Sequence, residues 1–352
     1  MINKGSPEDE IFMQRCIDLA YNGLGKVAPN PMVGAVLVNG GMIIGEGFHH
    51  EYGKPHAEVN AINDAEKRIG TIPENSTLYV NLEPCNHHGK TPPCTELIIN
   101  KGIRRIVIGC IDPNEKVTGK GIERLQNSGC DVLIGIKAND CRALNKTFIT
   151  YHEKHRPYII LKWAQSKDGY ISSGHQSEKR EWISNDYSRK LTHNWRSESQ
   201  AIMVGTNTVL YDNPSLNSRD WNRQNPIRIS LDKELRLPKN MNIFDQSIPT
   251  IIFTDKKSSS FKNLEYININ FSENVIENIL KELYNRNIQS LIVEGGSTLL
   301  NSFLINNYWD ESRVFVGKII LGKGIKAPEI SGNYKQSEPI ENDLFQVVIN
   351  RH

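Results

Sequence analysis

Glu83-Pro84-Cys85-Asn86-His87-His88-Gly89-Lys90-Thr91-Pro92-Pro93-Cys94 follows a β-rich run, and Pro55-His56-Ala57-Glu58 stands upstream of it at the start of a helical run. Cys94 opens a further short helix over 93–101, with Pro at its start and Gly102 after its end, the expected asymmetry of helix termini. The pattern continues outward on both sides. Residues 12–22 read as a helix, and 33–38 turns at Asn39-Gly40-Gly41 into 42–47 as a hairpin. A helix over 57–68 and a strand over 77–82 follow. A strand over 104–110 ends at Asp112-Pro113-Asn114, and then come a helix reaching Asn127 and a strand over 131–136. Strands alternating with helices from Glu8 to Ile136 predict a three-layer α/β/α unit.

His56, Cys85 and Cys94 supply one imidazole and two thiolates at element boundaries. Three protein ligands leave the fourth tetrahedral position of zinc to water, the catalytic type of site, and the pKa of that water falls from ~15.7 to about 7. Glu58 lies two residues from His56, and side chains at that spacing do not share a helix face. It is read as the proton carrier beside the metal. An isolated His or Cys is ordinarily a packing residue; three donors at helix start, strand end and helix start are not. Zinc deaminases carry H-x-E followed by P-C-x-x-C, whereas here the second cysteine comes nine residues after the first.

Asn30-Pro31, Gly47-Phe48-His49, Pro55-His56-Ala57-Glu58 and the long His-His-Gly-Lys-Thr-Pro-Pro insert between the cysteines resemble the deaminase half of the bifunctional riboflavin-biosynthesis deaminase/reductases. The resemblance implies a cytidine-deaminase-like fold and a ribosylamino-pyrimidine 5′-phosphate as substrate. Zinc would be held by His56, Cys85 and Cys94, with Glu58 catalytic. Asn30, His49, His87 and Lys90 would contact substrate, with His88 a further donor in the insert.

A linking helix over 139–154 and Arg156-Pro157 place a boundary near residue 150, within five residues, giving units 1–150 and 151–352. Beyond it, strands are expected over 158–164, 201–205, 227–232, 250–254, 290–294, 313–321 and 344–350, with loops over 219–226 and 255–263. Gly23-Leu24-Gly25-Lys26-Val27-Ala28 matches a dinucleotide fingerprint but has a helix before it and a strand after it, the reverse of what that motif requires. Four segments in the second half resemble the reductase half of the same family, of dihydrofolate-reductase-like fold. They are Leu161 to Gly169, Glu181 to Ser184 leading to Arg196, Val204 to Leu216 closing at Arg219, and Val293 to Leu299. The resemblance implies Lys162, Arg196, Leu216, Arg219 and Glu294 around the substrate. It implies Gln165, Trp182, Thr208, Asp212, Gly295, Gly296 and Ser297 around NADPH. Physically, a strand ending in Gly295-Gly296 with Ser297 opening a helix offers N–H groups to a pyrophosphate. Thr206 and Thr208 flank a similar strand end. Arg196 and Arg219 can pair with phosphate oxygens, and Lys162 is a charge in an otherwise apolar strand. Relatives carry an Ala-Pro pair before a late Gly where this chain has Gly317-Lys318-Ile319.

The 352 residues suit about two domains. Forty-two basic against forty acidic residues leave +2, no field for a nucleic acid or membrane partner. The N-terminus is polar and acidic with no leader pattern, and no run reaches a membrane span. Six cysteines in a chain this long point to metal or catalysis in a reducing compartment. The expectation is a cytoplasmic, homo-oligomeric bifunctional enzyme. It would deaminate 2,5-diamino-6-(5-phosphoribosylamino)pyrimidin-4(3H)-one with a zinc-activated hydroxide. It would then reduce the ribosyl group of 5-amino-6-(5-phosphoribosylamino)uracil to ribityl with NADPH. The rival reading is a zinc nucleotide or nucleic-acid base deaminase whose C-terminal unit is non-catalytic or binds another partner.

Overall fold

Ser6 and Asp9 form a reciprocal cap, each side chain accepting from the other's backbone N–H, and Pro7 takes the first helical position, where its missing N–H costs nothing. The first helix therefore starts earlier than hydrophobic periodicity alone suggests. It is α1 (Pro7–Ala20) in a computed structural model that describes residues 5–86, 92–174, 182–219, 221 and 224–350. The chain divides into two units, 1–155 and 156–352.

The first unit continues with β1 (Gly34–Asn39), β2 (Met42–Phe48), α2 (Ala57–Ile69), β3 (Thr77–Leu82), α3 (Cys94–Asn100), β4 (Arg105–Cys110), α4 (Lys120–Asn127), β5 (Asp131–Ile134), α5 (Ala138–Leu144) and α6 (Lys146–Lys154). Its sheet runs β2-β1-β3-β4-β5, the β3-β4-β5 part parallel and the hairpin strands antiparallel. Alternation sorts the strand side chains between two cores. Val36, Val38, Tyr79 and Val107 pack with α1, α5 and α6. Ala35, Leu37, Leu78, Val80, Ile106 and Ile108 pack with α2, α3 and α4. These are the three layers the alternation of elements predicts. Gly45 and Gly47 let α2 lie unusually close: a Cβ at either would fall 2.3 Å from the Ala61 backbone. The start of the zinc-site helix is thereby pinned to the hairpin. The expected single linking helix over 139–154 is instead α5 and α6, broken at Asn145, whose buried side chain is drawn to another segment.

The second unit contains β6 (Tyr158–Gln165), β7 (Tyr170–Ser172), α7 (Asp186–Glu198), β8 (Ala201–Val204), α8 (Thr206–Asp212), β9 (Ile227–Leu231), β10 (Thr250–Thr254), β11 (Leu264–Asn268), α9 (Val275–Asn285), β12 (Ser290–Glu294), α10 (Ser297–Ile305), β13 (Glu311–Val316), β14 (Ile325–Lys326), β15 (Asn333–Ile340) and β16 (Asp343–Ile349). Its sheet order is β11-β10-β9-β8-β12-β6-β13-β16-β15. The strands from β11 to β13 are parallel, and β16 and β15 are antiparallel. One face packs on α9 and α10, the other on Trp195 of α7 and Val209 of α8. The expected strand over 313–321 stops at Val316. The Ile183 carbonyl passes there, so close that a Cβ on Gly317 would fall 2.0 Å from it. That contact leaves room for no side chain at position 317. β7, β11, β14 and β15 were not expected; β15 is exposed and polar on both faces and shows no alternation. No helix among the described residues is long and apolar enough to cross a membrane.

Candidate active sites

His56 is the N-cap of α2, with extended backbone and no side-chain cap of its own, so its ring is left to other partners. Its Nδ1 lies 3.5 Å from Cys85 Sγ and 3.3 Å from Cys94 Sγ. The three donor atoms all fall within 4.8 Å of one another. A tetrahedral zinc with ~2.3 Å bonds to sulfur and ~2.0 Å to nitrogen spaces its donors roughly 3.5–3.8 Å apart, and the observed edges fit it. The Cys94 N–H also points at Cys85 Sγ, at 3.4 Å. Hydrogen bonding from Cys94, then from His56, overcomes burial and holds the Cys85 thiol down at about 4, which favours the thiolate a metal needs.

Glu58, in the first turn of α2, is buried against this triangle. Burial pushes its carboxyl up, the neighbouring His56 pulls it back, and it shares a hydrogen bond with Cys94. A buried carboxyl raised above its ordinary value beside these three donors can both take and give a proton. His49 faces the His56 ring edge-on at 5.4 Å. Its Nδ1 lies 3.1 Å from the Pro55 carbonyl and can only donate there. Its Nε2 therefore accepts from Asn30 Nδ2, also at 3.1 Å. Asn30 and His49 are thus joined at the edge of the metal site. His87, His88 and Lys90 lie outside the described residues.

Three residues that sequence reasoning passed over hold this site in place. Asn145 Oδ1 accepts the Met32 N–H at 2.8 Å and its Nδ2 donates to the Met32 carbonyl at 2.9 Å. Asn81 accepts the Gly34 N–H and donates to the same Met32 carbonyl. The Asn30-Pro31 segment is therefore gripped by two buried amides. Glu83 is buried and accepts N–H bonds from Asp112, Gly119, Gly121 and Ile122, tying the stem of Cys85 to the start of α4. Asn145 gave one signal, an amide inside an otherwise helical run; Asn81 is simply a polar residue in a buried strand.

In the second unit a cavity of ≈ 1500 Å³ opens at the C-terminal ends of β6, β8, β9 and β12. It is lined by Lys162, Trp182, Arg196, Thr208, Asp212, Leu216, Arg219, Glu294, Gly295, Gly296 and Ser297, eleven of the twelve residues expected there. The exception is Gln165: its Oε1 accepts from the Trp163 indole at 2.8 Å, and it does not reach the cavity wall. Gly295 has φ +114°, and a Cβ there would meet Thr208 Oγ1 at 2.7 Å. Gly296 caps α10 without a side chain, leaving the first-turn N–H groups of that helix directed at the cavity.

Several expected roles change once the partners are known. The Gly296 N–H is not available to a phosphate, because it donates to Thr208 Oγ1 at 3.0 Å. Thr206 lines the cavity, but its hydroxyl donates to the Leu231 carbonyl and serves the β9–α8 junction. Arg196 gives two nitrogens to the Glu294 carboxylate, each at 2.8 Å, so the paired edge expected to meet a phosphate is already taken. Burial pushes the Glu294 carboxyl up, but Arg196 and Lys162 together hold it at about 2. Burial lowers the Lys162 ammonium, with Glu294 opposing. His193, a further lining residue, is lowered by burial and by Arg196, and its Nδ1 lies 3.1 Å from the Asn217 carbonyl. Its place one turn before Arg196 on α7 was its only sequence signal.

Both units match families of known proteins. Residues 6–110 match the cytidine and deoxycytidylate deaminase zinc-binding region, and residues 157–345 match the RibD C-terminal domain. The riboflavin biosynthesis protein RibD of Aquifex aeolicus is 41% identical over 327 residues, covering 92% of this chain and 90% of that protein. The protein of the same name from Escherichia coli K12 is 34% identical over 333 residues, covering 90% and 89%. A diaminohydroxyphosphoribosylaminopyrimidine deaminase/5-amino-6-(5-phosphoribosylamino)uracil reductase from Thermotoga maritima has a crystal structure that superposes with a TM-score of 0.88. It is 39% identical, and the match covers 98% of this chain and 99% of that one.

Proposed function

The chain belongs to the RibD family of bifunctional riboflavin-biosynthesis deaminase/reductases, and from that premise we propose how its residues divide the two reactions. The substrate of the first unit is 2,5-diamino-6-(5-phosphoribosylamino)pyrimidin-4(3H)-one. The second unit reduces the deaminated product, 5-amino-6-(5-phosphoribosylamino)uracil, with NADPH. The observation that carries the first assignment is the His56, Cys85 and Cys94 triangle with Glu58 buried against it. Zinc would be held by His56 Nδ1 and the two Sγ atoms, and would supply the Lewis acidity that makes water a nucleophile at neutral pH. Glu58 takes the proton released as water attacks the carbon bearing the 2-amino group. It passes that proton to the ring nitrogen, then takes the second proton from the hydroxyl of the tetrahedral adduct and gives it to the amine, which leaves as ammonia as the C=O bond forms. Asn30 and His49, joined by their mutual hydrogen bond, orient the pyrimidine or its ribose. His87 and Lys90 are assigned to the phosphate on their chemistry as donors.

In the second unit, the N–H groups opening α10 suit a pyrophosphate, and the glycines before them allow close approach. NADPH supplies the hydride, and the protein's part is placement. Lys162 and Glu294 present a donor and an acceptor to the ribosyl hydroxyls, Arg196 holds Glu294 ionised, and Arg219 takes the 5′-phosphate. Trp182 and Asp212 flank the cofactor.

The test is to incubate zinc-loaded protein with the pyrimidine phosphate, with and without NADPH, and follow ammonia and absorbance at 340 nm separately. Ammonia is expected in both arms and NADPH oxidation only with the deaminated product. No ammonia overturns the first assignment, and ammonia without NADPH oxidation overturns the second. Glu58→Gln should retain zinc and lose deamination by a factor of roughly 10²–10⁴, the usual worth of a general acid–base. Zinc loss in that variant would make Glu58 a ligand.

A further inference from the structure

His193 lines the cavity of the second unit one turn before Arg196 on α7, yet it has no part in the chemistry assigned to Lys162 and Glu294. Its Nδ1 lies 3.1 Å from the Asn217 carbonyl. A carbonyl only accepts, so Nδ1 carries the proton and the ring donates. Arg196 Nη1 donates to the same oxygen at 3.3 Å, while its Nε and Nη2 are held by Glu294. One backbone carbonyl thus takes two side chains from a single turn of α7, and a carbonyl has two lone pairs to do so.

That carbonyl sits in a strained stretch of chain. Residues 213–218 form neither helix nor strand. Asn213, Leu216 and Arg219 lie in the left-handed region, at φ +40°, +51° and +44°. Asparagine enters that region readily. Leucine and arginine do not, and residues so placed persist only where their surroundings over-determine them. Here the surroundings act at successive points. Asn242 donates its N–H and its side-chain amide to Asn213, both at 2.7 Å. Leu216 is buried in the core that includes Trp195 and Val209. Ser218 donates its N–H and its hydroxyl to Asn225 Oδ1, both at 2.9 Å. Between Leu216 and Arg219, the tie to α7 is the Asn217 carbonyl. Turning the peptide after Asn217 would break that tie and re-aim the backbone leading into Arg219.

The residue type fits the task. Burial, then the charge of Arg196 and that of Arg219, lowers the His193 imidazole below its usual range. The ring therefore holds the carbonyl as a neutral donor. A lysine or arginine in its place would set a third positive charge beside Arg196 and Arg219, and like charges at this range repel.

We propose that His193 is a positioning residue of the reductase: its Nδ1–H holds the Asn217 carbonyl and so aims Arg219 at the phosphate of the substrate. The proposal rests on the assignment of Arg219 to the 5′-phosphate.

The test uses full-length, zinc-loaded protein, NADPH oxidation on supplied 5-amino-6-(5-phosphoribosylamino)uracil, and ribose 5-phosphate and ribose as inhibitors. His193→Gln sets an amide nitrogen at the place of Nε2, and His193→Asn sets one at the place of Nδ1. In H193Q the KM for the pyrimidine phosphate and the Ki of ribose 5-phosphate should both rise about three- to tenfold, the worth of one lost hydrogen bond. The kcat and the KM for NADPH should hold, as expected when only substrate binding is weakened. H193N, which restores the donor, should recover both constants. An unaffected H193Q, an H193N as impaired as H193Q, or a matching rise in the KM for NADPH overturns the positioning role. Ribose 5-phosphate that inhibits wild type no better than ribose, or equally in wild type and Arg219→Gln, overturns the phosphate assignment itself.

Discussion

Replacing Glu83 by glutamine removes a negative charge from a buried junction, and the geometry sets the cost. Glu83 Oε1 accepts from Gly121 at 3.0 Å and Ile122 at 3.3 Å, and Oε2 accepts from Asp112 at 3.3 Å and Gly119 at 3.0 Å. Either orientation of a glutamine amide turns an NH₂ toward two of these donors, so two bonds are lost and two buried N–H groups are left unmatched. Hydrogen bonds to a charged group contribute about 1.5–3 kcal/mol each, so the loss is roughly 3–6 kcal/mol, a large part of the ~5–15 kcal/mol that holds a domain folded. With a urea slope near ~2 kcal/mol per molar, the midpoint should fall by about 2 M. The chain carries its own probes for this measurement. All six cysteines lie in the first unit, with Cys16, Cys110, Cys130 and Cys141 buried, and all five tryptophans lie in the second. Thiol labelling in urea therefore follows the deaminase unit while tryptophan fluorescence follows the reductase unit as internal control. E83Q should also release zinc more readily to a chelator, because Cys85 hangs from the segment Glu83 anchors. A midpoint shift under about 0.5 M in the thiol signal would refute the reasoning; it would mean the freed N–H groups find other acceptors and Glu83 is not the anchor.

Other contacts, in each unit separately, set three further outcomes. Glu294 is held at about 2 against an ordinary 4.5. Its contribution, on the order of 3 kcal/mol, is therefore present above pH 4.5 and lost as the pH falls toward 2. Urea midpoints read by tryptophan fluorescence should drop more steeply between pH 5 and 3 in wild type than in Glu294→Gln, and equal slopes would contradict this. Asn145→Ala frees the Met32 peptide, at a cost of about 2 kcal/mol. It should raise the deaminase KM through Asn30 while zinc content stays at one per chain, so zinc loss in step with activity would assign Asn145 to the metal site instead. Stripping zinc with a chelator should abolish ammonia release and leave NADPH oxidation on supplied deaminated product intact.

The elements of the first unit are legible because each carries its own local signal. The hairpin is announced by Asn39-Gly40-Gly41, and α2 and α3 are each bounded by a glycine, Gly70 and Gly102. Each element that escaped did so for a physical reason. The break at Asn145 is tertiary: the helix stops because an amide leaves it to pair with Met32, far away in sequence. β15 escaped because a fully exposed edge strand needs no apolar face, so period-two alternation has nothing to act on. The strand after Glu311 stops early at Val316 because the Ile183 backbone occupies the next position, a contact that no local pattern records.

The two sites differ in the same way. His56, Cys85 and Cys94 each sit at the end or start of an element, and their residue types have few other reasons to occur at such positions together, so the metal triangle is readable before any fold is known. The reductase cavity draws its wall from separate strands and helices spread over most of the second unit. Motif resemblance places residues on that wall, as it did for eleven of twelve, but it is silent on how they are paired. Arg196 and Arg236 illustrate the consequence. Both are cavity arginines, and the one singled out from sequence proves to be committed to Glu294, which reaches it from a strand 98 residues away. The one passed over is held by its backbone and faces no acid among the described residues. A guanidinium's capacity to bind an anion depends on whether a carboxylate has reached it first. That is a property of the fold, and it is why ligand assignment in such a cavity has to begin with the ion pairs already made.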